Sequence, residues 1–162
     1  MRRLTAAVLA LAFSGVLAAT PAPVAADHGA ERSTAKVKPH AKYQRKALST
    51  TNEQRSAAGV PALRRTDCLQ RVAVRQAKAM AQQERTFHQD LGTVMTECGL
   101  LAAGENVAEG YRTGRSVVVA GWMTSPPHRV NLLNPLYRVV GIGARKGHDG
   151  RWYVAQVLGM SL

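Results

Sequence analysis

An α+β fold is the class this sequence predicts, and three observations predict it. Residues 67–85 repeat apolar side chains at helical spacing, with cations on the opposite face. Residues 138–145 and 151–158 alternate apolar positions at strand spacing and flank an Asp149-Gly150 turn signal. The helical segments come first and the paired strands last, an order that belongs to α+β proteins. The chain is 162 residues and 46% hydrophobic, enough for one ordinary domain with a core. That balance excludes a disordered polyion, a fibre and a multi-span membrane protein.

The first helix is expected from Tyr43 to Ala58, where Gly59 and Pro61 stop it. In the second, Asp67 is the candidate cap. Leu69, Val72, Ala73, Gln76, Ala77 and Met80 share its inner side, and Arg71, Arg75, Lys78 and Arg85 its outer side. The outer stripe either contacts a polyanion or is a solvated face. Residues 87–114 carry five glycines and are expected to be irregular. Residues 115–124 form a third element, ended by Ser125-Pro126-Pro127. Three consecutive valines suit a strand there and the Val118–Trp122 spacing a helix, so pattern alone does not choose. In the hairpin, Val140, Ile142 and Ala144 share a face, as do Trp152, Val154, Gln156 and Leu158.

The N-terminus reads as a secretory signal peptide over residues 1–26. Two arginines precede an apolar run from Leu4 to Ala19, and small residues follow up to Ala26. The run is about 16 residues, short of the roughly 20 a spanning helix needs. The alternative is a single-pass N-terminal anchor. Residues 27–42 have no apolar period and are expected to be a flexible basic linker, leaving 43–162 as the domain. In an exported chain the two cysteines, Cys68 and Cys98, are expected to pair. The alternative is two buried free thiols. The bridge would close a 31-residue loop, worth roughly 3–4 kcal/mol.

Of five histidines, His28, His40 and His148 are assigned no role. His88 follows the amphipathic helix, His128 follows a rigid Pro-Pro step, and Glu105 sits in Gly-Glu-Asn. Two imidazoles and a carboxylate can hold a divalent metal or share acid/base work. Their spacings match no local metal motif, and the alternative is three separately satisfied residues.

Several of these segments resemble one family. Gly104-Glu105-Asn106-Val107-Ala108 with Gly110, Trp122-Met123 followed by Ser125-Pro126, His128-Arg129 and Asn131-Leu132-Leu133, and Val140-Gly141-Ile142-Gly143 with Gln156 are similar to the CAP superfamily. That superfamily holds the cysteine-rich secretory, antigen 5 and pathogenesis-related proteins with an SCP-like domain, here in a short bacterial form. Asn52-Glu53, Arg55, Gly59, Pro61 and Leu63 resemble its opening helix and turn. The resemblance implies an α-β-α sandwich with a central antiparallel sheet, and hence a helix for 115–124. It also implies a cleft of two histidines and two acids able to hold zinc. His88, Glu105 and His128 match three of the four, with His88 and His128 as the metal ligands and Glu105 beside them. The second acid is replaced by Ser125, three residues after Trp122, which should weaken metal binding. Ser125 itself reads as a cap or turn hydroxyl, Trp122 as core, and Arg129 and Asn131 as bonding loop backbone to hold His128.

Three functions follow as expectations. The first is a secreted, monomeric binding module for a small ligand, lipid or cell-envelope component, with a possible divalent metal (Zn) and no generic catalytic mechanism. The second is a metal-dependent hydrolase with Glu105 as base. The third is electrostatic attachment to an anionic envelope surface, suggested by the formal charge of +12. A nucleic-acid partner is not expected: no recognition motif is present and aromatics are only 5%. No transmembrane segment is expected once the signal is removed.

Overall fold

The structure, a computed structural model, describes residues 38–161. The expected signal peptide and residues 27–37 of the expected linker lie outside them. Helix α1 spans Pro39–Ala57 and so starts four residues earlier than its apolar pattern indicated. Proline at the first helical position needs no N–H partner and presets φ, so it opens a helix without any apolar signal. Residues 39–42 therefore belong to the domain, not to a linker.

After the two-residue strand β1 (Arg64–Arg65), helix α2 (Asp67–Gln83) buries the predicted inner face, with Leu69, Val72, Ala73, Ala77 and Met80 fully enclosed. Thr66, not Asp67, is its N-cap, and Asp67 turns outward to pair with Arg65 at 3.1 Å. The segment expected to be irregular is largely ordered. Asp90 caps helix α3 (Leu91–Cys98) by accepting from the Gly92 and Thr93 amides, and Gly99, at φ 62°, ends it. Strand β2 follows (Leu100–Glu109). Its Gly104 reads as a breaker in sequence but makes room for the Tyr137 side chain, whose hydroxyl approaches to 2.8 Å of where a Cβ would stand.

The segment expected over 115–124 is helical through Trp122, as the family resemblance implied, and ends in a turn at residues 123–124. Helix α4 (Gly114–Ser116), opened by a Thr113–Ser116 capping box, runs into a π-helical segment (Val117–Trp122). Trp122 is fully buried, as expected of core. Helix α5 (Pro126–Leu133) precedes the predicted hairpin, β3 (Val139–Lys146) and β4 (Trp152–Ser161).

The four strands make one sheet in the order β1-β3-β4-β2, antiparallel except for the short β1–β3 pairing. Val140, Ile142, Ala144, Val154 and Leu158 face α1, the π-helical segment and α5 in one core layer. Val139, Val157, Tyr153 and Ala155 face α2 in the other. The result is the α-β-α sandwich, with each hairpin face buried as its alternation predicted. The predicted bridge is present: Cys68 and Cys98 are disulfide-bonded, tying the start of α2 to the end of α3.

Candidate functional site

Strand β2 ends the sheet, and the site is built around its middle. Register places Glu105 opposite Val157 and Asn106 opposite Gln156, so the two neighbours point to opposite faces. Glu105 points toward the α2–α3 connection, where His88 and Gln89 lie. Its side chain is 1% exposed. The carboxylate accepts from His88 Nδ1 at 2.8 Å, from Gln89 Nε2 at 2.5 Å and from the Gln89 amide at 3.3 Å. Three donors on a buried carboxylate offset its desolvation. The Gln76 side chain on α2 donates to the Phe87 carbonyl, fixing the backbone just before His88.

Asn106 points to the other face, into a buried polar chain. Its Nδ2 donates to Gln156 Oε1 at 3.0 Å and to the His128 carbonyl at 3.1 Å. Gln156 Nε2 in turn donates to Thr51 Oγ1 on α1 at 3.0 Å. Asn131 donates to the Glu105 carbonyl and to Asn106 Oδ1, both at 3.2 Å, which seats α5 beside β2. Arg129 reaches the Met123 carbonyl at 3.4 Å. Arg129 thus bonds turn backbone as expected, whereas Asn131 bonds strand β2 and the Asn106 side chain in place of a loop.

Ser125 occupies the N-cap position of α5, but its hydroxyl makes no cap bond. The expected cap role is replaced by a side-chain partner: Ser125 Oγ lies 2.9 Å from His128 Nδ1. The pair forms because a helix that begins Pro126-Pro127 sets residues 125 and 128 one turn apart on one side. Burial, and then the proximity of His88, lower the His128 pKa from its ordinary value, which favours the neutral ring.

The structure thus makes two pairs, His88–Glu105 and Ser125–His128. It does not make a relay of hydroxyl, imidazole and carboxylate, because the carboxylate orients the other histidine. Among the described residues no three His, Cys, Asp or Glu side chains converge as a metal cage. Gln89 and Thr51 were missed in the sequence, and Gln76 was placed on the inner face of the second helix without a role at the site. Gln89 is adjacent to His88, and Thr51 is a polar residue on a buried helix face, a signal visible only once that face is known.

The chain matches the model of the cysteine-rich secretory protein family, CAP, over residues 48–158. It belongs to that family. A relative from Bacillus subtilis, the uncharacterized protein YkwD, is 33% identical over 108 residues, covering 62% of this chain and 42% of the relative. An extracellular SCP-domain protein from Bacillus anthracis shares the fold with a TM-score of 0.66 and 25% identity, over 77% of this chain and 44% of that one. A cysteine-rich secretory protein from Staphylococcus aureus matches with a TM-score of 0.63 and 21% identity, over 77% and 40%. This CAP chain therefore spans less than half the length of these relatives. No helix among its described residues is long and apolar enough to cross a membrane.

Proposed function

We propose that this protein is a secreted CAP-domain binding module whose site holds a divalent ion between the Nε2 atoms of His88 and His128. The single observation carrying this reading is the partner on each Nδ1: Glu105 on His88 at 2.8 Å and Ser125 on His128 at 2.9 Å. The Glu105 carboxylate only accepts, so His88 Nδ1 donates to it and the Nε2 lone pair is free; the Ser125 hydroxyl can accept from His128 Nδ1 in the same way, the arrangement that surrounds zinc-binding histidines. Among the described residues neither Nε2 has a hydrogen-bond partner. Glu105 and Ser125 are then orienting groups beside the ion, and an ion held by two imidazoles keeps most of its shell for water or ligand.

Bound, such an ion would supply a Lewis acid. The hydrolase reading also asks Glu105 to act as base toward its water. A carboxylate that is almost wholly enclosed and already accepts three hydrogen bonds is poorly placed for that task. This favours binding over catalysis. The extracellular reading rests on the signal-like N-terminus, the disulfide and the B. anthracis relative's extracellular description.

Zinc titration and metal analysis of the purified protein test the site. Wild type is expected to take up one ion per chain, and His88→Ala and His128→Ala to lose it. Glu105→Gln, which keeps the shape, is expected to weaken binding by about 10–100-fold. Wild-type uptake in both histidine variants would remove the assignment.

A further inference from the structure

Away from the histidines, two clefts meet at one tryptophan. The first, about 520 Å³, lies between the start of α1 and residues 112–115, and Lys42, Tyr43, Lys46, Arg112, Arg115 and Trp152 line it. The second, about 280 Å³, is lined by Gly110, Arg112, Lys146, Gly150, Arg151 and Trp152. Arg112 and Trp152 belong to both, so the clefts form one trough at the far end of β2. Glu109, beside it, is about 13 Å along the strand from Glu105. The trough is therefore separate from the histidine site and independent of its reading.

Its chemistry is an apolar floor with a cationic rim. Trp152 is half-buried, and its ring centroid lies 4.9 Å from that of Tyr43, which is only 5% exposed. Lys46 and Arg115 share one carboxylate, Glu53, at 3.7 and 3.5 Å. Arg151 pairs with Glu109 and Asp149, both at 2.7 Å. Lys42, Arg112 and Lys146 are exposed and have no acidic partner among the described residues. Cations therefore outnumber carboxylates around the trough, with three of them uncommitted.

We propose that this trough binds a linear anionic polysaccharide, with a sugar ring against Trp152 and successive anionic groups on the flanking cations. The cations are strung along two adjoining clefts and do not converge on one point, which fits a chain of spaced charges better than a single anion. One aromatic platform suits the apolar face of a sugar ring. Single-stranded nucleic acid is gripped by a series of aromatics, and here Trp152 is the one partly exposed aromatic in the trough. The aromatic surface is recessed, whereas a membrane-inserting surface projects its apolar side chains. Polymers of this class surround cells, where the family's extracellular members would meet them.

Binding of the purified protein to polygalacturonate and to poly(ribitol phosphate), with neutral dextran as control, tests the proposal and separates a carboxylate from a phosphodiester source. At least one anionic glycan is expected to bind, more weakly as salt rises, while dextran does not. The combined variant Lys42→Glu, Arg112→Glu, Lys146→Glu is expected to lose at least about tenfold in affinity. The variant Arg71→Glu, Lys78→Glu, Arg85→Glu changes net charge equally along α2 and in the turn just after it, and it is expected to stay within about twofold of wild type. Trp152→Leu, which keeps an apolar side chain against Tyr43, is expected to weaken binding about fivefold. Equal losses in the two charge variants would reduce the effect to net charge and overturn the site. Binding neither glycan, or binding duplex DNA or phosphatidylglycerol vesicles as tightly through the same three residues, would overturn the ligand class.

Discussion

Arg55 is a buried guanidinium whose partners are all backbone carbonyls. Its Nε donates to Pro61 at 2.7 Å, Nη1 to Leu132 at 2.7 Å and Asn134 at 3.0 Å, and Nη2 to Tyr137 at 2.9 Å. The planar fork thereby ties the turn after α1 to the loop after α5, and so steadies the helix that carries Ser125 and His128. Burial lowers its pKa from the ordinary arginine value, and Arg138 adds to the effect. Arg55→Met should leave these carbonyls without their donors and destabilise the fold by about 3–5 kcal/mol, read from urea unfolding. Arg55→Lys should recover only part of this loss, because an ammonium cannot reproduce the fork. In the sequence Arg55 sits in a polar helix and looks like a surface residue. Its burial follows from contacts about 80 positions away, and local pattern does not encode those.

At the scale of elements, two glycines set how closely α2 lies on the sheet. A Cβ at Gly141 would stand 2.1 Å from the Leu69 carbonyl, and one at Gly143 would stand 1.9 Å from that of Ala73. Helix backbone thus rests directly on strand backbone, which explains the Val-Gly-Ile-Gly run in a buried strand. Gly143→Ala is expected to push α2 off β3 at a cost of about 3 kcal/mol, lowering Tm in a thermal melt. A wild-type Tm would mean that the helix can shift freely. Helix α2 and the hairpin were legible because each buries one face and leaves a clean period in its residues. Strand β2 was not, because polar Glu105 and Asn106 point inward to build the site and break the alternation that marks a strand. Its preceding helix carried a readable cap, Asp90 before Thr93, which the density of glycines obscured.

For the whole molecule, the disulfide encloses His88 and Gln89 within the loop it closes. Reduction should lower the unfolding free energy by about 3 kcal/mol, measured as a drop in urea midpoint with and without dithiothreitol. It should also loosen the histidine side of the site more than the α5 side, seen as greater amide exchange at 88–89 than at 128–131. Equal protection on both sides would show that Glu105 alone holds His88.

By itself the sequence determined the class of fold, the buried faces of α2 and the hairpin, the cysteine pair and the family, because these depend on short-range period, composition and motif. It also named His88, Glu105, Ser125 and His128. Only the tertiary structure decided which of them meet, because an edge strand, a helix connection and a helix start must be brought together before any hydrogen bond exists. It likewise turned a formal charge of +12 into a place. Lys42, Arg112 and Lys146 are far apart in the chain, and folding sets them around Trp152.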